Sequence, residues 1–122
     1  MVIDQNFIFI DKLNKTVNKI FFKASFLNKD YYCLYDDAKN QVFVGNESIG
    51  DRVGFQNDID NSIPFCLDYI NDRNEAIGFI WPYEIATWIK LNPTKVENLT
   101  SELRFITNMD INSNPIMMIV KL

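Results

Sequence analysis

The chain has 122 residues and carries 16 acidic against 12 basic side chains, a formal charge of −4. This is the length of one ordinary domain, and a 48% hydrophobic fraction excludes a disordered chain. The lysines and arginines are scattered, which argues against nucleic acid as a partner because phosphate neutralisation needs clustered cations, and the absence of histidine removes the commonest general base, the usual catalytic triads and most catalytic zinc sites.

From the N-terminus, "MVIDQNFIFIDKLNKT" lacks a basic leader and its apolar run is too short for a signal peptide. No run approaches the roughly 18 apolar residues of a membrane helix, so no membrane span is expected. Residues 5–11 read as a first strand, with Phe7, Ile8, Phe9 and Ile10 apolar in succession, and "LNKT" as the turn after it. Residues 18–27 form a second strand, "NKD" a turn, residues 31–36 an aromatic-rich third strand, and residues 41–45 a fourth. Four strands joined by short polar turns predict an antiparallel meander. Because several strands carry apolar residues in both directions, both of their faces are expected to be covered.

Residues 46–62 read as a long loop rich in Asx and Ser. Residues 63–70 read as a fifth strand, "NDRN" as a turn, and residues 75–81 as a sixth strand. The period then changes. Ile85, Trp88 and Ile89 recur at helical spacing behind Pro82, which predicts a helix over 82–91. Pro93 repeats the start signal, with Asn92 as its cap, and Val96, Leu99, Leu103 and Ile106 extend a second helix over 93–107. "PIMMIVKL", residues 115–122, is the last strand. Cys33 and Cys66 each sit inside an apolar stretch and read as buried thiols, with a disulfide possible in an exported chain.

The loop holds the candidate site residues Asp51, Asp58 and Asp60. Asp58, Asp60 and Ser62 fall at positions 1, 3 and 5 of an EF-hand register. Ile63 then stands where that loop needs glycine, and Tyr69 where it needs a bidentate glutamate, so an EF-hand is rejected. A looser calcium site on Asp51, Asp58 and Asp60 stays open, as does a carboxylate pair of Asp58 and Asp60 for acid–base work. The favoured alternative is structural: Asp and Asn side chains bonding their own backbone in Asx-turns.

The segment from Cys33 to Ile85 resembles the C-terminal part of the six-bladed, NHL-like β-propeller proteins of Bacteroidetes. The resemblance rests on Tyr35 and Asp36, Asn57 to Asp60, Pro64 and Phe65, and Asn114 and Pro115. Asn61 and Ser62 replace a glycine pair of that family, and Leu67 stands where a proline often follows. Asparagine tolerates left-handed backbone, so the turn can survive. The resemblance implies a mainly β chain of antiparallel four-stranded propeller-like blades, about two in number with the second incomplete, and two short helices near the C-terminus. In that division residues 1–47 are the first blade, 48–62 a loop, and 63–122 the second blade with its helices. It also implies a partial propeller that begins at its own Met1, and the cell envelope or periplasm as location. Blades need covered faces, so a second copy or another protein is the expected partner. The function expected is a non-enzymatic interaction or scaffold domain without a cofactor. A calcium-assisted or carboxylate-dependent hydrolase is the first alternative, and a small acidic inhibitor-type protein the second.

Overall fold

The computed structural model describes residues 9–122. The chain is mainly β, in two sheets, with two short helices. The first sheet contains β1 (Phe9–Lys15), β2 (Lys19–Phe26), β3 (Lys29–Asp36), β4 (Gln41–Val44), β5 (Glu47–Ile49) and β6 (Arg52–Gly54). The predicted meander is present: β1 to β4 pair antiparallel in chain order. Within the described residues β1 continues past the expected strand end at residue 11 and absorbs part of the expected turn, with a register shift between Asp11 and Asn14. Residues 5–8 of the expected first strand lie outside the described residues. The turn from β2 to β3 is Leu27–Asn28, both at positive φ, the two-residue geometry that matches strand twist.

The expected loop over 46–62 is half sheet. β5 and β6 form a hairpin across Gly50 and Asp51, and β6 pairs parallel with the start of β3 through Asp30 and Tyr31. The edge of β3 is therefore shared between β4 and β6. Gly45 follows β4, where the chain turns away from the edge of β3. A Cβ there would stand 2.6 Å from the carbonyl oxygens of both Val53 and Gly54, so only glycine lets β6 slot in.

Residues 63–68 are also not the strand expected. They run extended and buried, tied to the first sheet by one bridge in which Phe55 and Phe65 exchange N–H···O bonds of 2.8 and 2.9 Å. Their apolar character comes from threading between the two sheets: Gly54 of β6 and Gly78 of the second sheet both face Phe65 and Cys66. The second sheet is β7 (Tyr69–Ile70), β8 (Glu75–Ile80) and β9 (Ile116–Lys121), all antiparallel with β8 central. Its two sheets do not close a barrel or a ring among the described residues.

Helix α1 (Pro82–Leu91) matches the sequence reading, with Ile85 and Trp88 fully inside. The second helix does not. Helix α2 stops at Pro93–Glu97, and a separate 3-10 turn covers Arg104–Asn108. Asn98 donates both its N–H and its side-chain amide to the Thr94 carbonyl, a local competition that ends the helix. Leu99 still reaches the core from irregular backbone and Ile106 from the 3-10 turn. Asn92, expected to cap α2, instead donates its side-chain amide to the Trp88 carbonyl at 2.9 Å and closes the end of α1.

The core joins Phe21, Tyr32, Ile49, Phe65, Cys66, Ile80, Ile85 and Trp88. The expectation of strands covered on both faces is not met within one chain. Every residue of β4 is exposed, including Val42 at 57% and Val44 at 56%. Met117 and Ile119 of β9 and Ile10 and Leu13 of β1 also face outward.

Candidate functional site

Arg52 opens β6, and Glu84 sits in the first turn of α1. They meet across 32 residues in a bidentate ion pair, Nε to Oε2 at 2.8 Å and Nη2 to Oε1 at 2.7 Å. The same guanidinium donates from Nη2 to the Phe79 carbonyl at 2.9 Å and from Nη1 to the Tyr32 hydroxyl at 3.3 Å. It also lies 5.8 Å from the centre of the Tyr32 ring. Glu84 is only 4% exposed and accepts the Trp81 backbone N–H at 3.1 Å, so it ties the first sheet to the start of α1 and satisfies an otherwise orphan donor. A planar fork suits this pairing, which a lysine could not reproduce.

Above this pair opens a cleft of about 470 Å³. Four carboxylates line it, from Asp30, Asp51, Asp68 and Glu84, against the two cations Lys23 and Arg52. Tyr32, Trp81 and Tyr83 supply its aromatic surface. Asp68 is fixed by its Oδ2, which accepts the Phe79 N–H at 2.8 Å.

Burial is the largest single influence on Arg52 and opposes its charge, but the Glu84 carboxylate, with Tyr32 and Cys66 adding to it, raises the guanidinium above its ordinary value. Burial pushes the Tyr32 hydroxyl up to about 12 against the pull of Arg52. Burial likewise pushes the Cys66 thiol up to about 12, with Arg52 working the other way. Both cysteines are buried free thiols, and Cys33 is also raised by burial, so neither is set up as a nucleophile.

An alkaline instability follows. Unfolded, the thiol ionises near 9.0 and the phenol near 10.0, whereas the folded chain keeps both protons to about 12. The stability these two groups confer is complete below pH 9 and is lost as pH rises from 9 towards 12. Each group contributes a slope of at most about 1.4 kcal/mol per pH unit. Urea midpoints measured from pH 8 upward should fall in that window, and Cys66→Ala should flatten the decline between 9 and 10.

The structure does not bring Asp51, Asp58 and Asp60 together. Asp51 sits at the β5–β6 turn in the cleft just described, while Asp58 and Asp60 line a separate, largely apolar groove of about 410 Å³ between the sheets. Among the described residues no group of three or more Cys, Asp or Glu is placed to hold a metal ion. The Asx-turn reading fits what is seen. Asp60 Oδ1 accepts the Ser62 N–H at 3.0 Å and its hydroxyl at 2.6 Å, and Asn57 Oδ1 accepts the Ile59 N–H at 3.2 Å. Asn61 takes the left-handed backbone, φ 52°, that the missing glycine pair left to it.

A family described as "Domain of unknown function (DUF4934)" matches residues 3–121. The chain belongs to the DUF4934 family. No curated protein and no solved structure matches it. No helix of this DUF4934 chain, among the described residues, is long and apolar enough to cross a membrane. Sequence reasoning picked out Asp51 but missed Arg52 and the structural role of Glu84. The one local signal was an acidic residue at the third position of a proline-started helix.

Proposed function

We propose that the chain is a non-enzymatic interaction or scaffold module, related to cell-envelope β-propellers, that associates through its open strand edges. The observation that carries this reading is β4. It pairs on one side with β3, and Val42, Phe43 and Val44 present apolar side chains to solvent on both of its faces. An exposed apolar edge of this kind is a template for another strand. The outward Met117 and Ile119 of β9 add a second uncovered apolar row. The four-stranded meander and the three-stranded second sheet are compatible with one complete and one partial blade. The charged groups of the interior also support a structural role, since Arg52 and Glu84 are locked in their mutual pair.

Light scattering after size exclusion tests the reading. At tens of micromolar the expected mass is a multiple of the 14.3 kDa chain. Val42→Lys combined with Val44→Lys should return it to the monomer mass while changing stability by no more than about 0.5 kcal/mol each. A wild-type monomer under these conditions would remove the proposal.

A further inference from the structure

The cleft over the Arg52–Glu84 pair has a recognisable binding chemistry once its internal bonds are assigned. Both oxygens of Glu84 are bonded to Arg52, and the Arg52 donors go to Glu84, Tyr32 and the Phe79 carbonyl. Lys23 lies 3.6 Å from Asp30 and 3.8 Å from Asp11, so its charge is balanced. Asp68 uses one carboxylate oxygen for the Phe79 N–H. The Asp51 carboxylate has no hydrogen bond or ion pair among the described residues. What stays uncommitted is therefore Asp51, the second oxygen of Asp68, and two ring faces: Trp81 is 48% exposed and Tyr83 58%.

Four carboxylates face two cations in this cleft, a surplus of two negative charges. An anion entering it would meet carboxylates and, among the described residues, only cations that are already paired. A positive group would gain from both kinds of uncommitted surface, since aromatic faces attract cations through their quadrupole. We propose that this cleft binds an organic cation, an ammonium or guanidinium group, held between the Trp81 and Tyr83 rings and the Asp51 and Asp68 carboxylates. The site is independent of the β4 edge, so it stands or fails apart from self-association.

The test is a proton–nitrogen NMR titration of the whole chain with N-acetyl-arginine amide, with tetramethylammonium, and with N-acetyl-citrulline amide as the neutral isostere. The two cations should give saturable shifts confined to Gly50, Asp51, Tyr83 and the Trp81 indole, weakened by added salt. The citrulline compound should give none. Asp51→Asn and Trp81→Ala alter exposed side chains, and Trp81→Ala keeps the backbone bond to Glu84. Each should weaken the cation by about threefold to fivefold while the remaining spectrum shows the native fold. A glycine–serine peptide carrying one arginine separates the two sources. Tighter binding than the free amide assigns the site to a protein-borne side chain, and equal binding to a small free cation. Absence of saturable shifts at millimolar excess of both cations, or equal response to the citrulline compound, overturns the proposal.

Discussion

Replacing Glu84 by alanine should cost about 3–5 kcal/mol of stability, because it strands a guanidinium that the fold has already removed from water. The side chains of Arg52 and Glu84 are 16% and 5% exposed, so solvent screening offers little relief. Arg52→Met should cost a comparable amount by leaving the carboxylate without its partner. Combining Arg52→Met with Glu84→Gln should recover part of the loss, since two neutral groups of similar size need no counter-charge and the glutamine oxygen can still accept the Trp81 N–H. Urea denaturation of the wild type, Arg52→Met, Glu84→Gln and the double variant closes a double-mutant cycle. Strictly additive losses would show that the two side chains do not act as a pair.

Gly78→Ala should be as damaging, for a steric reason. A Cβ on Gly78 would collide with the Cys66 carbonyl oxygen and stand 3.1 Å from Cε2 of Phe65. The first obstacle is backbone and cannot rotate away, so β8 or the threaded segment must move. The expected cost is about 3 kcal/mol or more, at the upper end of overpacking effects. Gly50→Ala is the matched control. Nothing lies within 4 Å of its added Cβ, and its only penalty is a backbone at φ 63°. That should cost about 1 kcal/mol. If the two variants melt at the same urea concentration, the close approach between sheets is not what constrains Gly78.

The legible part of the fold is the part written in local periodicity. The meander β1–β4 follows from apolar runs separated by polar turns, and α1 follows from Pro82 with Ile85 and Trp88. β5 and β6 have three residues each, too few for an alternation to show. The segment 63–68 reads as a strand because burial makes it apolar, although its backbone pairs only through the Phe65 bridge and the Asp68 N–H to the Ile77 carbonyl among the described residues. The helix expected over 93–107 fails at Asn98, where a side chain competes with the backbone for one carbonyl. The fifteen asparagines read as a bias of composition. Among the described residues, Asn28, Asn40, Asn61 and Asn74 all take positive φ, so part of that bias supplies turns that would otherwise need glycine. The cleft was least legible. Its centre is a pair 32 positions apart, and no local spacing announces such a contact.

The placement of β8 has a kinetic consequence. Its short partner β7 arrives at once through the Asn71–Asn74 turn, but β9 arrives only after α1, α2 and the 3-10 turn. The entropy of closing a loop grows with its length, so this pairing forms late. Until then the amide edge of β8 that β9 will cover has no partner. A nascent or refolding chain at that stage carries this bare template in addition to the exposed β4, so intermolecular pairing competes increasingly as chain concentration rises. The small sheet is thus where folding of this chain is most open to competition from intermolecular pairing.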